Sequence, residues 1–155
     1  MIAGGIGNNP ASTILNVRNT IVANNDTGSG NGIEFGGASQ ITSGGGNLIG
    51  RAQGPGNGNA NTLAVFSLPT DQVGTVTNPL NPALGAIADN GGPTLTHLPE
   101  FASPAVDSGV NLELSINDQR GLPRVINTTV DIGAVEISGD LAETFFVDGF
   151  ESLIR

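Results

Sequence analysis

The amino-acid sequence predicts an all-β fold in the form of a stacked parallel β-helix with few coils. Glycine (24 residues) and proline (9 residues) interrupt the 155-residue chain so often that no long window of helical periodicity is left. The apolar positions are rich in β-branched residues, which favour strands. Aromatic residues make up only 4% of the chain, so a core must be built from small aliphatic side chains. Uniform small side chains suit stacked layers better than a helical bundle.

Short strands separated by turns account for most of the pattern. Residues 12–25 alternate apolar and polar side chains before stopping at Asn24 and Asn25. Residues 39–50 give a strand, a glycine corner and a second strand. Further short strands are predicted at 32–37, 61–68, 92–99, 104–109, 122–126 and 130–138.

A weak internal echo favours stacked coils over other all-β folds. The segment NTIVANN begins at Asn19 and NLIG begins at Asn47, a separation of 28 residues (47 − 19). Repeats of roughly 20–45 residues are typical of solenoids, in which each repeat forms one coil. Asparagine at equivalent corners can satisfy backbone groups and tolerates left-handed geometry. A β-sandwich remains the alternative, because it also shows short strands at regular spacing.

The charge balance excludes several classes of partner. The formal net charge is −9, with 14 acidic residues against five cationic ones, all of them arginine. Nucleic-acid binding requires clustered Lys and Arg, and so does binding to an anionic membrane surface. The chain has no cysteine, which excludes disulfides, a Cys-ligated zinc site and a thiol nucleophile. No run approaches the roughly 18 apolar residues of a membrane span, so membrane insertion is not expected.

Three regions are expected along the chain. Residues 1–76 should form the β-helix coils, with a flexible loop near 51–61. Residues 77–138 carry many prolines, which argues against regular central strands, and should form an irregular C-terminal cap. A cap is physically required because the last layer of a solenoid otherwise exposes an unpaired edge. Residues 139–155 should form an acidic tail that is either disordered or used for sorting.

The N-terminal stretch MIAGGIGNNPAST lacks the basic and apolar regions of a signal peptide. Because the chain starts abruptly with Gly and Asn, we expect it to be part of a longer protein whose export signal lies upstream.

Two motifs in the last third of the chain resemble a known group of proteins. The stretches LGAIADNGGPTLTHLPEFASPAVDSG and NDQRGLPRVINTTVDIGAVE resemble the C-terminal region of large secreted bacterial right-handed parallel β-helix repeat proteins of the choice-of-anchor and polymorphic outer-membrane-protein-like group. The tail FFVDGFE is similar to the short acidic-aromatic tails of secreted gammaproteobacterial proteins. The matching residues are Ala88, Asp89, Asn90, Gly91, Gly92, Pro93, Thr94, His97, Ser103, Pro104, Ala105, Asp107, Gly109, Asp118, Gln119, Arg120, Gly121, Pro123, Arg124, Asp131, Ile132, Gly133, Ala134 and Glu136.

The resemblance implies a right-handed β-helix that is extracellular or displayed on the cell surface. It implies a non-enzymatic, adhesin-like scaffold, whose partners would be a polysaccharide or a host or cell surface. The alternative is a fragment of a β-helix polysaccharide lyase or glycoside hydrolase, because fold alone does not determine function.

Catalytic residues are not assigned from the sequence. A polysaccharide lyase needs a base and a cation, for which the candidates are Arg18 and Arg51. A glycoside hydrolase needs two positioned carboxylates. The candidates Asp71, Asp89 and Asp107 lie far apart in sequence, each in a turn-like setting that favours backbone capping.

The expected turn and cap residues include the single histidine. A lone histidine cannot build a zinc site, so a structural, hydrogen-bonded role is favoured for His97. Calcium is the more plausible metal, because the segments ADNGG and SINDQ offer oxygen ligands, although neither has the spacing of a known calcium loop. No cofactor is assigned. The predicted turn and cap residues are Asp89, Asn90, Gly91, Gly92, His97 and Asp107.

Two of the five arginines lie in one short segment, which predicts a structural clasp. A strand over 130–137 would place Asp131 and Glu136 on opposite faces, so the two acids could not share one arginine. We therefore expect Arg120 or Arg124 to form a bidentate ion pair with Asp131 and fix the cap to the last coil. A grip on an acidic sugar is the competing interpretation. The clasp residues are Asp118, Arg120, Arg124, Asp131 and Glu136.

Overall fold

The fold is all-β and poor in helix. The computed structural model describes residues 6–7, 14–25, 35–36, 40–54, 61–112 and 116–137. Within these ranges the elements are β1 (Ile6–Gly7), β2 (Ile14–Val17), β3 (Ile21–Val22), β4 (Phe35–Gly36), β5 (Gln40–Ser43), β6 (Leu48–Ala52), α1 (Thr62–Val65) and β7 (Gln72–Thr75). No helix among the described residues is long and apolar enough to cross a membrane.

Every pairing between these strands is parallel and joins one stretch of chain to another about 24–29 residues later. Ile6 pairs with Phe35 (35 − 6 = 29) and Ile14 with Gln40 (40 − 14 = 26). In the third sheet β6 lies between β3 and β7. There Leu48 pairs with Ile21 (48 − 21 = 27) and with Gln72 (72 − 48 = 24). We call residues 6–75 the strand stack.

The strand β6 is buried on both of its faces. Ile49 lies in an inner apolar cluster with Val22, Ile41 and Phe66. Its neighbour Leu48 points to the opposite face, since side chains alternate along a strand. Leu48 contacts Ala105 and Ile132, and all three are fully buried. Continuous apolar strands of this kind are expected where a parallel sheet is covered on both sides.

The corner between β5 and β6 depends on glycine and asparagine. Gly45 and Gly46 have φ values of +88° and +65°, which an L side chain rarely adopts. Asn47 is fully buried, and its Nδ2 donates to Val17 O at 2.9 Å while its Oδ1 accepts from Thr20 N at 3.2 Å. The predicted role of corner asparagine is present. The predicted echo is wrong by one residue, because Asn47 bonds Thr20 and not Asn19.

The C-terminal segment, residues 77–137, covers the outer face of the third sheet. Ile132 N donates to Ala105 O at 2.8 Å, and Gly133 N donates to Asn19 O at 3.0 Å. The Asn19 side chain bonds both the N–H and the carbonyl of Val110, at 2.8 and 2.9 Å. We expected this segment to close the last coil. Its contacts reach Asn19, just before β3, which is separated from β7 by β6, so it lies along the flank of the stack.

Two predicted strands are absent from the structure. Within 61–68 the chain forms the short helix α1, which begins because Asn61 caps it by accepting from Ala64 N. Residues 130–137 form bends and not a strand, because Gly133 has φ +114° and turns the chain. In the rest of the segment the strand pairing consists of isolated antiparallel bridges, Leu84 with Pro99, Ala88 with Thr96 and Asn117 with Pro123.

Candidate functional site

The turn at 118–122 is organised by a single buried carboxylate. Asp118 Oδ1 accepts from Arg120 N at 2.8 Å and from Leu122 N at 3.1 Å. Its Oδ2 accepts from Arg120 Nε at 2.9 Å and from Glu136 N at 3.2 Å. Burial alone would raise the pKa of Asp118, but these hydrogen bonds outweigh it and the pKa is lowered. Asp118 is therefore held as a carboxylate.

Arg124 is buried, with 7% of its surface exposed, and it binds one acid and two carbonyls. Its Nη1 lies 3.1 Å from Glu136 Oε2. Its Nη2 donates to Asp131 O at 3.0 Å and to Gly133 O at 2.7 Å. The prediction that an arginine pairs with the Asp131 carboxylate is wrong. The ion pair is made with Glu136, and Asp131 contributes only its backbone oxygen.

The strand-parity argument failed because residues 130–137 are bent. The bend brings Asp131 and Glu136 to the same side, where Asp131 N donates to Glu136 Oε2 at 3.0 Å. Arg120 Nη2 also donates to Glu136 O, so both arginines reach the same residue. The five predicted clasp residues thus form one continuous network of contacts, which we call the arginine network.

The two acids of the bend have raised pKa values because they are buried. Burial raises the pKa of Asp131, although hydrogen bonds from Asp107 N and Ile137 N oppose the effect. Burial raises the pKa of Glu136 to about 7, with a further contribution from the neighbouring Asp131 charge. The Arg124 charge acts in the opposite direction in both cases. One arginine therefore does not compensate for burying both acids.

Asp107 brings a third carboxylate to the same place. It has a left-handed backbone conformation, φ +50°, and is exposed. Its N–H donates to Asp131 Oδ1 at 2.8 Å, and its carboxylate accepts from Asn127 Nδ2 at 3.2 Å. One carboxylate oxygen from each of Asp107, Asp131 and Glu136 lies within 4.8 Å of the other two. We call these three residues the acid cluster. Its members are separated by up to 29 residues (136 − 107), so spacing alone gave no sign of it.

The other predicted turn and cap residues lie in a tight turn that contacts the arginine network. Asp89 Oδ1 accepts from Gly91 N at 3.1 Å, and Asn90 Nδ2 donates to Thr96 O at 2.8 Å. Gly91 and Gly92 have φ values of +88° and +82°. A Cβ atom on Gly92 would lie 2.5 Å from Arg120 Cα, so the glycine allows the two turns to approach.

His97 lies at an open cleft between the strand stack and the C-terminal segment. Its Nδ1 is 2.7 Å from Gly85 O, and its side chain is exposed. The cleft has a volume of about 430 Å³. Its other lining residues are apolar or uncharged and polar, and include Ile21, Leu95, Thr96, Gln119 and Val135.

The candidates considered for catalysis make contacts with backbone or with other structural residues. Arg18 Nη1 donates to Leu112 O and Arg51 Nη1 to Asn25 O, each at 3.4 Å. Asp71 accepts from Asn47 N at 3.1 Å and from Ser43 Oγ at 2.7 Å. Asp71 extends the asparagine corner by one strand.

Sequence reasoning missed Asn19 and Asp71 as binding residues within the fold. The signal for Asn19 was present, since an asparagine just before a predicted turn is suited to its left-handed φ of +46°. Nothing in the sequence indicated its partner Val110, because the two residues are 91 positions apart.

Neither calcium segment considered from the sequence belongs to the acid cluster, whose described members are Asp107, Asp131 and Glu136. The segment SINDQ contributes Asp118, which binds Arg120, and ADNGG contributes Asp89, which caps its own turn. The predicted tail at 139–155 and residues 55–60 of the predicted loop lie outside the described residues.

Comparison of the chain with protein-family models, with curated proteins and with solved structures gives no match.

Proposed function

We propose that the chain is part of a right-handed parallel β-helix, exported to the cell surface or beyond, that acts as a non-enzymatic, adhesin-like scaffold. The observation that carries the proposal is the register of the strand stack. Strands β1, β2 and β3 each lie beside a strand that follows about one coil later, and β6 repeats the relation with β7. Successive parallel strands in one sheet are joined by right-handed crossovers in nearly all proteins.

The way in which the coils are joined supports a stacked scaffold. Asn47 spans from the Thr20 corner to Asp71, so its polar side chain bonds both neighbouring layers. The inner cluster is aliphatic apart from Phe66. Such an arrangement extends by adding layers, because each layer bonds only to its neighbours. The resemblance of residues 84–136 to secreted β-helix repeat proteins supports export and surface display.

A polysaccharide is the partner that the cleft supports best. Thr96 and Gln119 supply uncharged hydrogen-bonding groups beside the apolar side chains of Leu95 and Ile132. Sugars present hydroxyl groups and apolar ring faces together, and ligand sites commonly combine a few polar groups with an apolar lining. The single histidine adds one donor or acceptor at the rim.

The parallel stack is tested by cross-linking introduced cysteines, for which the cysteine-free chain is well suited. Asn16 and Thr42 face each other in register and are exposed. Neighbouring strands lie about 4.8 Å apart, which a disulfide can bridge. We expect the pair Asn16→Cys with Thr42→Cys to oxidise readily. The control pair, Ile14→Cys with Thr42→Cys, is offset by two residues and should not cross-link. Equal cross-linking of both pairs would contradict the register.

The functional class is tested by incubating the protein with pectin, alginate and glycosaminoglycans. A scaffold should release no unsaturated or reducing ends from any of them, while a lyase or hydrolase would release one or the other. Retention on an immobilised polysaccharide should fall in a Gln119→Ala variant and stay unchanged in a Leu63→Ala variant, whose exposed side chain lies outside the cleft. Turnover would replace the scaffold proposal by the enzyme alternative.

A further inference from the structure

We infer that the acid cluster, Asp107, Asp131 and Glu136, is a binding site for a calcium ion that ties the 107 turn to the 131–136 bend. Nothing in the register of the strand stack bears on this site, so it stands or fails independently of the proposed function.

The first reason is the charge at the cluster. Three carboxylates meet here, and Arg124 is the cation that contacts Glu136 and the Asp131 backbone. The nearby Arg120 is paired with Asp118, which balances it. With every group ionised, the cluster and Arg124 carry a charge of −2. Two of the three acids are almost fully buried, and buried charge without compensation is costly. A divalent cation supplies the missing charge.

The second reason is an orphaned oxygen on Glu136. This residue has 1% of its surface exposed, and Oε2 accepts from both Arg124 Nη1 and Asp131 N. Within the described part of the chain, Oε1 is buried and has no hydrogen-bond partner. Buried polar atoms in native proteins are nearly always satisfied. Because Oε2 is already used twice, Oε1 is the oxygen of this carboxylate that is available to a ligand.

The remaining lone pairs at the cluster also favour a cation. Each oxygen of Asp131 accepts one backbone N–H, from Asp107 and from Ile137, which leaves one lone pair on each. The Asp107 carboxylate has only the Asn127 amide, at 3.2 and 3.3 Å. The cluster is thus rich in acceptors and poor in donors.

The choice of calcium follows from the ligand type and the span of the site. All three ligands are carboxylate oxygens, which suit Ca²⁺ or Mg²⁺ and not the metals that select His or Cys. The ligand atoms lie within 4.8 Å of one another. That span corresponds to two oxygens on opposite sides of Ca²⁺ at about 2.4 Å, whereas Mg²⁺ requires about 2.1 Å and near-ideal octahedral geometry. The exposed Asp107 leaves room for water to complete a coordination number of about 6–8.

The test is calcium titration of the full chain by isothermal calorimetry, with melting temperature as a second readout. The chain has no Trp or Tyr, so luminescence sensitised through those rings is not an option. We expect one Ca²⁺ per chain, with a dissociation constant on the order of 10⁻⁴–10⁻³ M as in extracellular modules. The melting temperature should rise with Ca²⁺ and rise less with equal Mg²⁺.

The decisive variant is Asp107→Asn, with Asp89→Asn as its control. Asparagine tolerates the left-handed conformation at 107 and can still accept from Asn127, so the fold should persist. Both variants remove one exposed carboxylate from a turn. We expect Asp107→Asn to weaken calcium binding at least about tenfold, which is about 1.4 kcal/mol, and Asp89→Asn to leave it unchanged.

Three outcomes would overturn the site. These are no calcium heat in the wild type, equal affinity in the two variants, and a thermal shift reproduced by NaCl at matched ionic strength. The last would indicate general screening of an acidic chain and not a bound ion.

Discussion

The strand stack and the C-terminal segment are held together by different kinds of interaction. In the stack, parallel backbone ladders and an inner aliphatic cluster repeat from coil to coil. In the C-terminal segment the described strand pairing is limited to isolated bridges. Buried charged side chains bond individual backbone groups there, as Arg124 does with Asp131 O and Gly133 O.

The comparison indicates that the two regions should respond differently to substitution. A ladder distributes its hydrogen bonds over many residues, so one exposed side chain contributes little. The arginine network concentrates its bonds on a few buried groups, so each removal leaves a charge or a carbonyl without a partner. The predictions below test this contrast, beginning with the largest expected effect.

Replacing Arg124 should be the most destabilising change. Arg124→Met leaves Glu136 buried without its cation and two carbonyls without a donor. Breaking a buried ion pair in this way costs about 3–5 kcal/mol in the free energy of unfolding. Urea denaturation should show that loss. The matched control is Arg51→Met in the stack, where a single hydrogen bond of 3.4 Å is removed and about 0.5 kcal/mol or less is expected. Equal losses would remove the contrast.

A double-mutant cycle should locate the ion pair. Arg124→Met and Glu136→Gln should be non-additive, with a coupling energy of about 0.5–3 kcal/mol, because the two side chains are in contact. Arg120→Met and Asp131→Asn should be additive within about 0.5 kcal/mol, since the described contacts of Arg120 are to Asp118 and Glu136. Coupling in the second cycle alone would restore the pairing expected from the sequence.

Within the stack, Asn47 is the exception that behaves like the arginine network. Asn47→Ala leaves Val17 O and Thr20 N without their partner, and each unsatisfied buried group costs about 1–3 kcal/mol. The control Asn16→Ala changes an exposed residue of β2 and should cost about 0.5 kcal/mol or less. The midpoints of urea unfolding give both values. A loss for Asn47→Ala as small as that of the control would mean that the corner is not supported by this side chain.

The adjacent glycines 91 and 92 separate backbone strain from packing. Both have left-handed φ values, so alanine at either position costs about 1–2 kcal/mol from strain. An added Cβ at 91 meets open space, whereas at 92 it lies 2.5 Å from Arg120 Cα. We expect Gly92→Ala to cost about 1–3 kcal/mol more than Gly91→Ala. Equal stability of the two variants in thermal unfolding would show that the turns do not pack as described.

Local patterns in the sequence were sufficient for the stack but not for the C-terminal segment. The alternation in 12–25 and the glycine corner in 39–50 predicted β2, β3, β5 and β6, because strand formation there depends on neighbouring residues. The pattern at 61–68 was ambiguous, and the Asn61 cap decided for a helix.

The clasp residues were identified by composition, since two of five arginines lay among acids. Their pairing could not be predicted, because it depends on a bend at Gly133 that brings Glu136 beside Asp131. Strand parity assumes extended backbone, and that assumption placed the two acids on opposite faces. The third acid, Asp107, reaches the cluster through the fold alone.

The smallest predicted effect concerns the junction between the two regions. Asn19→Gly preserves the left-handed φ of +46° and removes both bonds to Val110. The control Asn24→Gly makes the same change at φ +60° on an exposed residue. Relative to it, we expect Asn19→Gly to cost about 1 kcal/mol. Hydrogen exchange should speed up at the Val110 amide while the Leu48 amide keeps its protection, because Leu48 N is bonded to Thr20 O within the stack. Equal acceleration at both amides would mean that the segment and the stack open as one cooperative unit, in which case the difference in their contacts would not amount to a difference in local stability.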